Sequence, residues 1–308
     1  MAETTEPTPA AKSVIESIPM FSETGPILIE SLEGVQSLNN NLWVVRCESG
    51  ERFVVRQADP VSATRLGVNY PDEAAVARAA ATIGIAPEVL YCDPSIGLIV
   101  TPWVEPLPPQ QRGGLGSPGT MKRLVEVLHR MHGLTDVPGR PGAIYDRIRH
   151  LVGQSRDMGL SLPPGVGDAL LRLDDFEAHR AAQAGAPPGL NHNDLWENNI
   201  LDSGDQLFLV DWEFAGLGDG LYDLATISMA GAFDADLDRR LLGEYGSDAR
   251  QDLVELQSMK WVVRFFEATW SLVMHGLNGH TTGSGFDYSG HARVMFSAME
   301  EEPPAVRL

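Results

Sequence analysis

The sequence has few cysteines, few basic residues and no long apolar run, and each shortage excludes a class of protein. Its two cysteines, Cys47 and Cys92, cannot supply a disulfide framework and do not form a C-x-x-C pair. Forty-two acidic residues against 23 basic ones give a net charge of −19, which disfavours binding to nucleic acid or to an anionic membrane. No stretch approaches 18 uninterrupted apolar residues, so no membrane insertion is expected.

The N-terminal segment lacks the basic and apolar regions of a signal peptide, so we expect a cytoplasmic protein. Its first residues are rich in Thr, Pro, Ala and Glu, and we predict a disordered tail over residues 1–15. Nothing in the sequence indicates an obligatory protein partner.

Two patterns of apolar residues divide the rest of the chain. Residues 16–101 contain short β-type runs and a helical pattern over Asp72–Gly84, which favours an antiparallel β lobe with one helix. A segment rich in proline and glycine follows from residue 102, and the apolar period then changes to about 3.6. We therefore predict an α+β fold with a larger, mainly helical lobe over residues 102–308. Helices are expected at 121–132, 142–153, 167–183, 235–245, 249–276 and 286–299.

One loop and the strand after it carry the residues typical of phosphoryl transfer. His192, Asp194 and Asn199 form an H-x-D-x4-N pattern, and an apolar strand then ends at Asp211. A carboxylate such as Asp194 can accept the proton of an attacking hydroxyl group. The amide oxygen of Asn199 and the carboxylate of Asp211 are ligands that suit a hard divalent cation.

The β lobe supplies a second pair of charged residues in the order that a kinase needs. Arg56 ends the third β run, and Glu73 opens the predicted helix that follows. A strand cation held by a helix carboxylate fixes the phosphates of ATP in kinases, and arginine can grip phosphate through two donors. Taken alone, Arg56 or Glu73 would be interpreted as an exposed charged side chain. Their order along the chain and their place in the β lobe favour a kinase.

The segments HNDLWENNIL, LVDWEFAGLGDGLYDLA, EATWSLVMHG and FDYSGHARVMF resemble those of the bacterial choline/ethanolamine kinases, within the wider aminoglycoside phosphotransferase group. The resemblance runs from about residue 27 to residue 299 and implies a protein-kinase-like fold of two lobes that binds ATP and Mg²⁺. It implies that Asp194 is the catalytic base, that Asn199, Asp211 and Glu213 serve the metal, and that His192 and Asp223 hold the catalytic loop. The implied ATP-binding residues are Arg56, Glu73, Ser37, Asn39, Pro102 and Val104.

The expected acceptor is a cationic amino alcohol. A quaternary ammonium group cannot donate a hydrogen bond, so aromatic faces and carboxylate charge must hold it. Trp270, Tyr288 and Tyr222 offer aromatic faces, and Glu267 precedes Trp270 by three residues on the same side of a helix. Choline is the first expectation, and each aromatic residue could also be an ordinary core residue.

Two departures from the family pattern leave alternatives open. The phosphate loop at Gly34–Asn39 has one glycine where the family has adjacent glycines, and Glu267 and His291 stand where the eukaryotic enzymes have aromatic residues. The alternatives are a kinase of ethanolamine, thiamine, an aminoglycoside or another hydroxylated amine, and a pseudokinase that binds nucleotide without turnover. His129 and His132 share a helix face, and packing is a simpler interpretation for them than metal binding.

Overall fold

A computed structural model describes residues 9–22, 27–31, 40–139, 142–183, 187–246, 252–278 and 286–304. Its N-terminal part contains an antiparallel sheet in the order β1-β2-β3-β5-β4. The strands are β1 (Ile27–Ser31), β2 (Asn40–Cys47), β3 (Arg52–Ala58), β4 (Tyr91–Asp93) and β5 (Leu98–Pro102). Gly50, with a φ of 91°, allows the tight turn between β2 and β3. The predicted β-rich N-terminal part is confirmed, whereas Ser37 and Asn39 lie outside the described residues.

Two short helices cover one face of this sheet and correct the predicted tail. They are α1 (Pro9–Glu16) and α2 (Pro19–Ser22). Ile15, Ile18 and Phe21 are buried in a cluster with Val45 and Val55 of the sheet. The expectation of disorder up to residue 15 was therefore wrong for residues 9–15, because a few apolar side chains suffice for a helix that docks on an existing sheet.

Two further helices follow β3, so the expectation of a single helix in this part was wrong. They are α3 (Pro60–Leu66) and α4 (Tyr70–Thr82). The side chains of Asp59 and Asn69 accept hydrogen bonds from backbone N–H groups in the first turns of α3 and α4. Such capping residues mark helix starts in the sequence, and α3 ends at Gly67 in the left-handed region with a φ of 70°.

The C-terminal part is mainly helical, as predicted. Its helices are α5 (Pro118–His132), α6 (Ala143–Asp157), α7 (Val166–Gln183), α8 (Leu221–Ala230), α9 (Ala235–Tyr245), α10 (Asp252–Asn278) and α11 (Tyr288–Glu301). Two small antiparallel pairs lie among them: β6 (Gly189–Asn191) with β9 (Gly216–Gly218), and β7 (Ile200–Asp202) with β8 (Leu207–Leu209). Among the described helices, none is long and apolar enough to cross a membrane.

Helix α3 joins the two parts of the chain. Arg147 on α6 donates a hydrogen bond to the carbonyl oxygen of Leu66 at 2.8 Å, and its guanidinium lies 5.1 Å from the Phe214 ring centre. Arg65 on α3 donates to the side-chain oxygen of Gln154 on α6 at 2.9 Å. These contacts attach the segment between β3 and α4 to the helical part, so they help to fix the position of the sheet relative to the helices.

A buried ion pair fixes α8, which carries part of the site. Asp238 on α9 accepts hydrogen bonds from Lys260 Nζ on α10 at 2.6 Å, from Gln257 Nε2 at 2.9 Å and from the hydroxyl group of Ser228 on α8. Asp238 and Lys260 are 1% and 6% exposed, so neither charge has water to replace its partner. The network therefore ties three helices together.

We expect Lys260→Met to lower the free energy of unfolding by about 3–5 kcal/mol, because it leaves the Asp238 charge buried without its cation. Chemical denaturation measures this change. Arg239→Met is the matched control, since Arg239 pairs with Asp236 on the surface of α9, and a change below about 1 kcal/mol is expected there. Equal losses in the two variants would contradict the prediction.

Candidate active site

The cleft between the sheet and the helical part contains a cavity of about 470 Å³, a size suited to a small ligand. Its apolar walls come from both parts of the chain, and include Leu42, Ala77, Ile99, Leu201 and Leu209. Pro102 and Val104, predicted to lie along the adenine, both line it. Arg56, Glu73, Asn199 and Asp211 lie at its polar end.

The predicted catalytic loop brings Asp194 and Asn199 into contact. The loop follows β6, and one turn of 3₁₀ helix over Glu197–Asn199 turns the chain back. Asn199 Nδ2 donates to Asp194 Oδ2 at 2.7 Å and to the Asp194 carbonyl oxygen at 2.9 Å. Loss of solvent raises the pKa of Asp194 well above its usual range, and the charges of Glu267 and Asp211 raise it further.

Asp223, at the start of α8, holds this loop from behind. Its carboxylate accepts the backbone N–H groups of His192 at 3.0 Å and of Asn193 at 2.9 Å. Asn193 has a φ of 65°, in the left-handed region where asparagine is tolerated. His132 Nε2 lies 3.0 Å from the same carboxylate, and its Nδ1 lies 2.6 Å from the hydroxyl group of Tyr245.

His192 links the loop to the segment that carries Asp211. Its Nε2 donates to the carbonyl oxygen of Val210 at 2.9 Å, immediately before Asp211. Burial lowers the pKa of His192, which favours the neutral ring. Asp211 itself has a φ of 67°, and this turn points its carboxylate towards Arg56.

Arg56, on β3, forms ion pairs with carboxylates from both parts of the chain. Its guanidinium lies 2.5 Å from Glu73 Oε1 on α4, 2.8 Å from Asp211 Oδ1 and 2.8 Å from Glu213 Oε2. Asn40 Nδ2 also donates to Glu213 Oε2, at 3.1 Å. One cation thus faces three carboxylates, and the excess negative charge makes this a place where a further cation would be stabilised.

The donor set at this point fits Mg²⁺. Asp211 and Glu213 offer carboxylate oxygens, and Asn199, which lines the same cavity as Asp211, offers an amide oxygen. Within the described residues, no group of three acidic, histidine or cysteine side chains lies close enough to hold a metal alone. Magnesium commonly takes one or two carboxylates and completes its shell with phosphate oxygens and water, so this set suits a metal that arrives with a nucleotide.

The predicted acceptor residues come from α8, α10 and α11, and their aromatic members Tyr222, Trp270 and Tyr288 are buried in the core. Glu267 Oε1 accepts a hydrogen bond from the indole nitrogen of Trp196 at 3.0 Å. The Trp270 and Tyr288 rings pack edge to face with centres 5.6 Å apart, and Phe286 lies 4.9 Å from Tyr288. Tyr222 is 1% exposed, and its pKa is raised well above its usual range by burial and by the charge of Glu267.

One protein-family model matches most of the chain. The model described as the phosphotransferase enzyme family matches residues 32–270. The chain belongs to the phosphotransferase enzyme family.

Solved structures similar to this phosphotransferase are consistent with the family assignment. A choline/ethanolamine kinase family protein from Mesorhizobium loti superposes with a TM-score of 0.73 and 26% identity, over 95% of this chain and 93% of that one. Choline kinase LicA from Streptococcus pneumoniae superposes with a TM-score of 0.70 and 16% identity, over 94% of this chain and 99% of that one. The first confirms the predicted resemblance, and both confirm the kinase-like fold.

Protein LicA from Haemophilus influenzae is 27% identical over 183 residues, which are 58% of this phosphotransferase and 66% of that protein. A second LicA from this species is 27% identical over 216 residues, 69% of this chain and 60% of that protein. The chain therefore spans less than two thirds of the length of these curated relatives.

Local spacing in the sequence does not indicate several long-range contacts that support this phosphotransferase site. Trp196, His132, His291 and Asn40 contact predicted site residues across 71 to 173 positions or between separate helices. His132 belongs to the Asp223 network and not to a surface, which no local spacing indicates. Trp196 lies two residues after Asp194, so its position in the loop was the one available signal.

Glu73 of this phosphotransferase gives a pH dependence to folding. Loss of solvent raises its pKa from 4.5 to about 8, although the charge of Arg56 lowers it. A carboxyl group with a higher pKa in the folded protein stabilises the fold below about pH 4.5 and loses that contribution as the pH rises through 8. The metal-free protein should therefore lose a few kcal/mol of unfolding free energy (on the order of 1.4 per pKa unit) between these values.

Denaturant titrations at several pH values test this in the presence of EDTA. The Glu73→Gln variant should show a smaller fall with pH than the wild type, because its side chain does not titrate. Glu88→Gln on the surface is the matched control. The same fall in Glu73→Gln and the wild type would assign the pH dependence to another group.

Proposed function

We propose that the protein is an ATP- and Mg²⁺-dependent kinase, active in the cytoplasm, that transfers the γ-phosphate to the hydroxyl group of a cationic amino alcohol, with choline as the preferred acceptor. The observation that carries this is the position of Asp194. It contacts Asn199, which lines the cavity together with Asp211, and the charge of Glu267, the partner of Trp196 and His291, also acts on it. We place the boundary between an ATP lobe and a catalytic lobe after residue 101.

The residues predicted to act as the base, to bind phosphate and to hold the metal have distinct roles in this reaction. Asp194 would accept a hydrogen bond from the acceptor hydroxyl group and take its proton as the oxygen attacks the γ-phosphorus. Its raised pKa makes the carboxylate a stronger base than an exposed aspartate. Arg56, held by Glu73, would donate to phosphate oxygens near Asp211. Asn199 and Asp211, with Glu213 beside them, would hold Mg²⁺, which would supply charge neutralisation at the phosphate oxygens.

The acceptor side favours a cation. Glu267 is 7% exposed and its negative charge acts on Asp194, while Trp270 and Tyr288, 7% and 0% exposed, pack edge to face in the core nearby. A positive charge placed here would offset the repulsion between Glu267 and Asp194. The names of the relatives, which include choline/ethanolamine kinase and choline kinase, support an acceptor of this class.

An acceptor panel tests the proposal. Purified protein with Mg-ATP is assayed for ADP formation with choline, ethanolamine, thiamine and kanamycin, and choline is expected to give the highest kcat/KM. A higher kcat/KM for kanamycin would replace the amino alcohol by an aminoglycoside. Nucleotide binding without ADP formation for any acceptor would indicate a pseudokinase.

A further inference from the structure

Glu267 has one partner on each carboxylate oxygen. The indole nitrogen of Trp196 donates to Oε1 at 3.0 Å, and His291 Nε2 on α11 lies 3.4 Å from Oε2. The Glu267 side chain is 9% exposed, whereas that of His291 is 26% exposed and can exchange protons with solvent. Trp196 cannot change its charge, but His291 can.

Two further titratable groups interact electrostatically with Glu267: Asp194 from the catalytic loop and Tyr222 from α8, which are acidic or neutral. On α11, Asp287 accepts the N–H group of Gly290, and the hydroxyl group of Tyr288 keeps its proton because burial raises its pKa to about 12. Within the part of the chain that the structure describes, His291 is the basic side chain paired with Glu267.

We propose that His291 is a specificity-determining residue of the acceptor site, whose imidazolium form and the cation of the acceptor compete for the carboxylate of Glu267. This inference rests on the proposed function, since it assigns the acceptor cation to Glu267. It adds a residue that selects for the charge of the acceptor and makes its affinity depend on pH.

The competition follows from charge. A protonated His291 neutralises Glu267 and repels a second cation at the same carboxylate. Imidazole is the side chain whose charge ordinarily changes between about pH 5 and 8. An incoming ammonium group therefore favours the neutral ring, and binding releases a proton from His291. A neutral alcohol cannot replace the imidazolium, so the site discriminates against uncharged acceptors.

Isothermal titration of choline into the Mg-ADP complex tests this without turnover. Choline has a fixed charge, so any proton released on binding comes from the protein or nucleotide. In the wild type, the choline Kd should fall as the pH rises, because protonated His291 competes with choline for Glu267. The binding enthalpy in buffers of different ionisation enthalpy should report the released proton.

Three variants separate the outcomes. His291→Gln, which cannot be protonated, should lose most of the pH slope, and His291→Lys, with a fixed cation, should weaken choline binding at every pH. His179→Gln is the matched control. His179 Nε2 lies 2.9 Å from Glu255 Oε1 on α10, in a different ion pair from that of Glu267, so this variant should keep the wild-type slope. Melting temperatures confirm that each variant is folded.

An unchanged slope and proton release in His291→Gln would overturn the role of His291 while leaving the kinase assignment intact. If the wild type and His291→Gln both bind Mg-ADP but no cationic amino alcohol at any pH, the proposed function fails instead, together with this inference. The two failures are therefore distinguishable in one set of titrations.

Discussion

Asp194→Asn is expected to lower kcat by about 10²–10⁴-fold while nucleotide affinity changes little. Asparagine keeps the shape of the side chain but cannot accept the proton of the acceptor hydroxyl group. The contact with Asn199 lies on the edge of the nucleotide cavity, and the apolar walls of that cavity do not involve residue 194. Steady-state kinetics give kcat, and a thermal-shift titration with Mg-ADP gives nucleotide affinity.

Asp175→Asn on the exposed face of α7 is the matched control and should retain wild-type kcat. A kcat for Asp194→Asn within a few-fold of the wild type would contradict the role of Asp194 as the base. Loss of both turnover and Mg-ADP binding would instead show that the substitution disturbs the cleft.

Asp211→Asn has the second largest expected effect, a loss of about 10²–10³-fold in kcat/KM for Mg-ATP. The φ of 67° at Asp211 suits asparagine as well as aspartate, so the backbone can remain in place. The substitution removes one of the carboxylate charges available to a metal. It also removes one of the three ion pairs of Arg56, which keeps Glu73 and Glu213 as partners. Activity measured across a range of Mg²⁺ concentrations should show a higher requirement for the metal.

Asp205→Asn, on the exposed turn between β7 and β8, controls for the loss of one negative charge from this acidic protein. It should leave the Mg²⁺ requirement unchanged. If Asp211→Asn retains the wild-type requirement, Asp211 is not a metal ligand.

The residues of local motifs could be predicted because their spacing is short. Asp194 and Asn199 lie five residues apart in one loop, and Arg56 and Glu73 follow one another in the order that the sheet and α4 impose. The fold class followed from the change of apolar period near residue 102. What local spacing could not show is that Arg56 contacts both Asp211 and Glu213, because these contacts depend on packing across the cleft.

Helix α8 shows why an element can escape prediction. Eight of its ten residues are buried, so its sequence has no polar face and no apolar period of 3.6. Asp223 was named from the family resemblance and Tyr222 for its aromatic face, but the helix that positions them was not predicted. The contacts of Glu267 with Trp196 and His291 were not predicted for a related reason, since they join three elements that are separate in sequence.

The shared guanidinium of Arg56 has a consequence for engineering. Arg56 and Glu73 come from the N-terminal part, and Asp211 and Glu213 from the C-terminal part. A chimera that exchanges the N-terminal part with that of a homologue will assemble well only if the replacement brings a cation of the same reach, because Asp211 and the buried Glu213 otherwise lose their cation. Successful recombination points should therefore be those that transfer these four positions as one unit.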